Sequence, residues 1–432
     1  MRPLLTALGL AAGMAAALPA AAENRIDLVR PDAPELAALG PHPVGVTTRT
    51  FTNEGVLDVL NATEDARPTY DRALTVEIWY PAAEGTAPGG TYATRLRDGE
   101  TEVTLHGRAA RDAAPAEGGT FPLVVLSHGY PGNRVLMSHL GENLASKGYV
   151  VASADHLDST YATQAAFGST LYNRPLDQRF VVDAMEALDG PLGAITDADT
   201  TGLIGYSMGG YGALIYAGAG ITEAATTYDW VQPTASILAP HVAGRDSHEA
   251  LATDDRLKAV IAIGPWGRNA GFWDAAGLSG VRKPLLLMAG SADDVSRYPA
   301  IRQILEEATG TDRHLLTFEA ANHNAAAPIP APAESWAPVD TLDFVPFEHY
   351  ADAVWDTVRM NNVAQHFATA WMDLHLKEEA GQADYFDLIE RADAGVVDLD
   401  DAGTPTDAHT YWKGFPPRTG QGLTFESRTA GE

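Results

Sequence analysis

The chain alternates short, continuously apolar runs with longer stretches in which apolar positions recur at helical spacing. The apolar runs fall at residues 121–126, 149–154, 201–205, 259–264, 285–289 and 315–318. A strand that is apolar at every position must be covered on both faces, and helix-length segments between such strands supply the cover. The pattern predicts an α/β fold, a mostly parallel central sheet with helices on both faces. Upstream, residues 73–80 (Ala-Leu-Thr-Val-Glu-Ile-Trp-Tyr) alternate as an early strand would until Pro81 ends it, and the polar, Gly-rich stretch to Gly119 reads as loop and excursion. Downstream, Val358, Val363, Phe367, Trp371 and Leu374 give residues 355–379 the period of a closing C-terminal helix.

Three segments break this rhythm. Between the helix expected after residue 207 and the apolar run at 259, more residues intervene than one helix-to-strand connection needs, so residues 218–255 are expected to form a lid or cap insertion. Residues 380–432 are polar and turn-rich, a C-terminal extension packed on the domain or trailing from it, with Tyr411, Trp412 and Phe415 able to pack. Residues 1–22 carry Arg2, an apolar run from Leu4 to Leu18 and then Pro19-Ala20-Ala21-Ala22, the sequence of a cleavable export signal. That run is shorter than the ~20 residues a spanning helix needs. The expectation is one catalytic domain over residues 23–379, exported to the periplasm or beyond, with no stable membrane insertion.

Composition narrows the chemistry. With 432 residues and 45% hydrophobic content the chain can bury a large core. It has no cysteine, which excludes disulfides, thiolate metal sites and a cysteine nucleophile. The net charge of −28 argues against nucleic-acid or anionic-membrane partners and, at long range, against anionic substrates, while neutral esters are not disfavoured. No His-Glu-x-x-His occurs, and Asp398-Leu399-Asp400-Asp401-Ala402-Gly403 has Ala where a calcium loop wants its third side-chain oxygen, so neither metal nor cofactor is expected.

The chemistry sits at the ends of the apolar runs. Gly205-Tyr206-Ser207-Met208-Gly209-Gly210 follows Gly202-Leu203-Ile204 and precedes the helix-like Tyr211-Gly212-Ala213-Leu214-Ile215, the strand-to-helix setting of a nucleophile elbow. In so sharp a turn, side chains two residues before and after the serine would collide, which accounts for the glycines. A serine nucleophile needs a base and an acid to orient it. The run at 285–289 ends in Gly290-Ser291-Ala292-Asp293-Asp294, and one of these aspartates is expected to orient the histidine. His323, in Ala320-Ala321-Asn322-His323-Asn324, lies just past the run at 315–318, where a loop can return it to Ser207. His314, His349, His366 and His375 read as packing or surface groups, and His128 as a group that shapes its loop. A tetrahedral intermediate needs two N–H donors, and the backbone amides of Met208 and Tyr130 are the candidates, the latter in Ser127-His128-Gly129-Tyr130-Pro131-Gly132-Asn133.

These residues resemble the α/β-hydrolase superfamily over roughly residues 43–379, with two branches in view. Ser127-His128-Gly129 and the strand Leu74-Thr75-Val76-Glu77-Ile78-Trp79-Tyr80-Pro81 are similar to platelet-activating-factor acetylhydrolase and dienelactone-hydrolase-like esterases, although true dienelactone hydrolases use the cysteine this chain lacks. The Gly205–Gly210 motif, residues 140–151 and Ile261-Ala262-Ile263-Gly264-Pro265-Trp266 are similar to bacterial cutinase-type polyester hydrolases. The superfamily pattern of strand, glycine and acid favours Asp293 over Asp294. The cutinase likeness implies that Tyr130 and Trp266 flank the scissile ester, where two aromatic faces can hold a flat acyl group.

The resulting expectation is serine-dependent hydrolysis of small or short-chain carboxylic esters through an acyl-enzyme on Ser207, with His323 as base and Asp293 as orienting acid. The alternatives are a cutinase-like hydrolase of aromatic esters or polyesters, a peptidase, for whose usual partner domain there is little room, and an inactive binding protein on the same fold.

Overall fold

The continuous apolar runs form a sheet in the computed structural model, which describes residues 23–165, 167–228 and 237–432. The expected export signal, residues 1–22, and part of the expected insertion, residues 229–236, lie outside the described residues. The strands are β1 (Asn24–Arg25), β2 (Val44–Leu57), β3 (Thr69–Pro81), β4 (Gly90–Arg95), β5 (Glu102–Gly107), β6 (Ala110–Arg111), β7 (Phe121–Ser127), β8 (Val150–Ala154), β9 (Thr196–Tyr206), β10 (Leu257–Ile263), β11 (Leu285–Gly290), β12 (Arg313–Phe318) and β13 (Leu423–Arg428). The helices are α1 (Ser138–Ala145), α2 (Phe167–Glu186), α3 (Gly190–Ala194), α4 (Met208–Tyr216), α5 (Asp246–Ala252), α6 (Ala275–Leu278), α7 (Tyr298–Glu307) and α8 (Thr357–Leu376).

The main sheet has the order β13-β12-β11-β10-β9-β7-β8-β3-β2-β6. From β8 to β12 every pairing is parallel, whereas β2 and β3 join antiparallel at one side and β13 closes the other edge antiparallel to β12. Successive side chains along a strand point to opposite faces. Val124 and Leu126 of β7 therefore pack with Leu140 of α1 and Val363 of α8, while Leu123 and Val125 pack with Leu171 of α2 and Leu214 of α4. Both faces are buried, which is why the strands read as unbroken apolar runs. This is the α/β architecture the pattern predicted, a mostly parallel sheet with helices on both faces.

Helix α8 is the expected closing helix. Asp356 caps it by accepting the Arg359 N–H at 2.8 Å, and Val363, Phe367 and Trp371 are buried. The tail beyond it does not trail: β13 completes the sheet edge, and Phe386, Trp412, Phe415 and Phe425 surround Phe367, with Phe425 stacked on it at 5.6 Å. The stretch before Gly119 is also more than loop, since β4 and β5 form a hairpin that pairs with β1. The described part of residues 218–255 packs against the body of the fold, with Leu238, Val242 and Leu251 buried and His241 Nε2 bonded to the Tyr172 carbonyl at 2.8 Å. Among the described residues no helix is long and apolar enough to cross a membrane.

Several histidines are buried in this packing. Burial pushes His139, His156 and His241 down to about 4 and His366 to about 3, so each stays neutral in the folded chain. Unfolding returns them to a pKa near ~6.5, so below that pH the unfolded chain binds the extra protons and stability falls with pH. The stability these groups contribute is fully present above about pH 6.5 and is lost progressively down to about pH 4, at roughly 1.4 kcal/mol per pH unit per histidine. Urea unfolding at pH 7.5, 6, 5 and 4.5 is expected to show a steepening loss over that window, and a flat profile from 7.5 to 5 contradicts neutral burial. Truncation at residue 383 removes Tyr385, Phe386, Tyr411, Trp412, Phe415 and Phe425 from the core, each worth about 2 kcal/mol, a sum comparable with a whole domain's stability of roughly 5–15 kcal/mol. The truncated chain is expected to lose its cooperative thermal transition in calorimetry.

Candidate active site

Strand β9 ends at Tyr206 and helix α4 begins at Met208, leaving Ser207 alone to make the turn. Its backbone is held at φ 53° and ψ −112°, a region that costs a side-chain-bearing residue about 1–3 kcal/mol. The turn is held by the Ser207 N–H donating to the Ile263 carbonyl at 2.8 Å, and by the Ser207 carbonyl accepting from Tyr211 at 3.0 Å and Trp266 at 3.2 Å. A Cβ at Gly205 would run into the Gly209 carbonyl, and one at Gly209 into the Ser127 carbonyl. Only glycine fits on either side of this serine.

His323 follows β12 by five residues and donates from Nδ1 to Asp293 Oδ2 at 2.7 Å. The carboxylate is fixed in turn, since Oδ1 accepts the N–H groups of Val295 at 2.9 Å and Ser296 at 2.8 Å. With Nδ1 carrying the proton, Nε2 presents its lone pair, and it has no hydrogen bond to any described residue. Gly264, at φ 51°, lies flat against the imidazole and the carboxylate, where a side chain would crowd both. Asp293 is buried and meets His323, whereas Asp294 is exposed at the mouth of the cleft. Ser207 and His323 line the same cavity, of about 350 Å³.

The Tyr130 and Met208 N–H groups have no hydrogen-bond partner among the described residues. For Met208, the first residue of α4, this is the ordinary condition of a helix start, where N–H groups lack acceptors within the helix and favour negative charge. The loop that carries Tyr130 is held from below by buried polar groups that the sequence did not single out. Arg174 of α2 donates to the carbonyls of His128 and Gly129, and to Ser159 Oγ at 2.6 Å. Burial lowers its pKa to about 9, which leaves it a cation at neutral pH. Gln178, one turn on, donates to the Gly209 carbonyl at 2.8 Å. His128 Nε2 accepts the His156 N–H at 3.1 Å, so its Nδ1–H donates to the Gly129 carbonyl at 2.8 Å. His128 thus shapes the loop, as its sequence position suggested. Beneath it, Ser127 Oγ meets His156 Nε2 at 2.9 Å, His156 Nδ1 meets Asp177 at 3.1 Å, and Asp177 binds Arg72 at 2.8 Å. Burial would raise the Asp177 pKa, but Arg72 and His156 outweigh it and hold the carboxyl well below the usual range.

Ser207 stands at the junction of two lobes. The first is the 350 Å³ cavity with His323, Asn324 and Tyr206, walled by Arg97 from the β4–β5 hairpin and by Phe344 and His349 from the excursion after His323. The second, of about 580 Å³, is lined by Met208, Phe167, Tyr228, Trp266 and Asn269. Tyr130 borders both. Tyr130 and Trp266 do flank this region, but they do not face each other across an open gap: Phe167 stands between them, edge to face with Tyr130 at 5.0 Å and with Trp266 at 5.3 Å. Trp266 also packs on Phe272 at 5.2 Å, so it is both wall and core. Of the described residues in the 218–255 segment, Tyr228 alone lines the cleft. Among the described residues no group of three or more His, Asp or Glu side chains is arranged to hold a metal ion.

Comparison with known proteins agrees with this architecture. The family model for platelet-activating factor acetylhydrolase, isoform II, matches residues 37–181, which include the Tyr130 loop and stop short of Ser207. Cutinase 2 of Thermobifida cellulosilytica and a cutinase of Thermobifida fusca are each 26% identical over 182 residues, 42% of this chain and 52% and 42% of theirs. The chain therefore spans about half the length of the curated relatives it matches. The solved structure of a ferulic acid esterase from Streptomyces cinnamoneus superposes with a TM-score of 0.53 at 23% identity, over 80% of this chain and 94% of that one. By sheet order, elbow and these likenesses, the chain has the α/β-hydrolase fold and is similar, over part of its length, to an acetylhydrolase family and to cutinases.

Proposed function

We propose that this protein hydrolyses carboxylic esters through an acyl-enzyme on Ser207. The observation that carries the reading is the convergence, in one cleft, of a serine on a strained one-residue turn, an imidazole oriented by a buried carboxylate, and two N–H groups with no partner among the described residues. In this scheme His323 Nε2 takes the Ser207 proton as Oγ bonds to the carbonyl carbon, and the Tyr130 and Met208 amides hold the oxyanion. The proton then passes to the alcohol oxygen as its bond to the acyl carbon breaks. Water, activated by His323, releases the acid and restores the serine. Asp293 keeps the imidazole in the required tautomer throughout.

Small or short-chain esters are the first substrate class. The aromatic lining of the 580 Å³ lobe favours a second reading, esters of aromatic acids, with Tyr130, Phe167 and Trp266 contacting the acyl ring. Export is part of the proposal and rests on Arg2, the apolar run from Leu4 to Leu18 and the small residues that follow.

Ser207→Ala is expected to lower kcat on p-nitrophenyl acetate by at least about 10⁴-fold without changing the melting temperature, and equal rates for variant and wild type end the catalytic reading. Asp293→Asn should cost roughly 10⁴-fold while Asp294→Asn stays within a few-fold of wild type; the reverse order would assign the acid to Asp294. A p-nitrophenyl series from acetyl to long acyl, run beside an aromatic diester, separates the two substrate classes. A steep fall with chain length supports short-chain esters, and dominant turnover of the diester supports the aromatic reading.

A further inference from the structure

Arg97 has an unusual position in a chain with this charge. Acidic residues outnumber basic ones, 57 to 29, and most cleft-distant arginines hold carboxylates, Arg72 on Asp177 and Arg256 on Asp254 among them. Arg97 is half-buried in the wall of the smaller lobe and makes no ion pair or side-chain hydrogen bond with any described residue. Its neighbours are the Phe344 ring, 5.6 Å from the guanidinium carbon, and the phenols of Tyr161, Tyr350 and Tyr130. The carboxylates bordering the same lobe, Asp294 and Glu348, are exposed at its mouth.

The placement is built. Asp98 closes the turn by accepting from the N–H groups of Glu100 at 3.1 Å and Thr101 at 3.0 Å. Gly99, at φ 75°, lies so close to the Tyr161 carbonyl that a side chain would not fit. Asn133, at the end of the Tyr130 loop, donates to Thr94 Oγ1 at 2.8 Å and so ties the hairpin to the site. A partly desolvated guanidinium with five donors, held facing a cleft without a partner, is suited to a planar anion.

His323 decides which part of the substrate meets it. The leaving alcohol oxygen must receive its proton from His323, and His323 lines the Arg97 lobe and not the aromatic one. We propose that Arg97 binds a carboxylate on the alcohol portion of the ester, so that the preferred substrates are acylated hydroxy acids. The assignment rests on the esterase reading above. It also specifies that the preference is local, because the net charge of −28 opposes an approaching anion.

The test compares 4-acetoxybenzoate, whose leaving phenol carries a carboxylate, with its neutral methyl ester, on wild type, Arg97→Gln and Ser207→Ala. Wild type is expected to favour the acid in kcat/KM by about 10-fold or more, as a charge-assisted hydrogen bond implies, and Arg97→Gln to bring that ratio close to one. A ratio near one in wild type, or a ratio unchanged in Arg97→Gln, overturns the assignment and leaves the esterase reading standing. Absence of Ser207-dependent hydrolysis of either ester overturns both. Should Arg97→Gln fold poorly, inhibition of wild-type methyl-ester hydrolysis decides the matter. 4-Hydroxybenzoate is expected to inhibit at about 10-fold lower concentration than 4-hydroxybenzamide, and equal inhibition refutes the proposal.

Discussion

The turn from Tyr206 to Met208 governs the arrangement of everything around it. One residue must reverse the chain from a central strand into a helix, which forces Ser207 to a positive φ and leaves no room for side chains at Gly205 and Gly209. Such strain persists only where the surroundings over-determine the conformation. Here they do so through the Ile263 carbonyl at the end of β10 on one side, and on the other through the Tyr211 amide of α4 and the amide of the buried Trp266. The same turn makes Met208 the first residue of α4, whose N–H has no acceptor among the described residues.

The second amide donor depends on a different device. The loop from His128 to Asn133 has one backbone bridge, Gly132 to Thr160, and its His128 and Gly129 carbonyls are held by Arg174 and by the His128 ring. Those groups are supported by His156, Asp177 and Arg72, so the ladder reaches from β3 through α2 to the loop. Buried polar groups that bond to one another restrict the geometry they can adopt, and here Arg72, Asp177, His156 and His128 are joined in sequence, while Arg174 Nε is left without a partner among the described residues. The network therefore ties the Tyr130 loop to α2 and β3 through buried side chains.

Charge acts on two length scales in this molecule. The overall excess of acidic groups sets a field that solvent ions screen beyond about 10 Å at 0.1 M salt. Inside the cleft the charges are few: exposed carboxylates at the mouth, the exposed Arg297 on the aromatic lobe, the Asp293 carboxylate committed to His323, and the guanidinium of Arg97, which has no acid partner among the described residues. What binds there answers to the near groups and not to the total.

The sequence by itself determined the parallel sheet, because strands buried on both faces must be apolar at every position, and it located Ser207, His323 and the Asp293-Asp294 pair, because each lies within a few residues of such a strand's end. His128 and the Tyr130 loop were legible for the same reason. The superfamily pattern favoured Asp293 over Asp294, but only the packed loop shows which of the two adjacent carboxylates faces the imidazole. Arg174, Asp177 and Gln178 were not legible, since polar residues in a helix read as a solvated face until the loop they support is seen to lie over them. Strand β13 was missed because Leu423 and Phe425 offer only two alternating apolar positions, too short a signal to distinguish an edge strand from a turn-rich tail. Arg97, Phe167 and Phe344 belong to the site only through contacts between segments far apart in the chain, and such contacts are a property of the packed fold that local pattern does not encode.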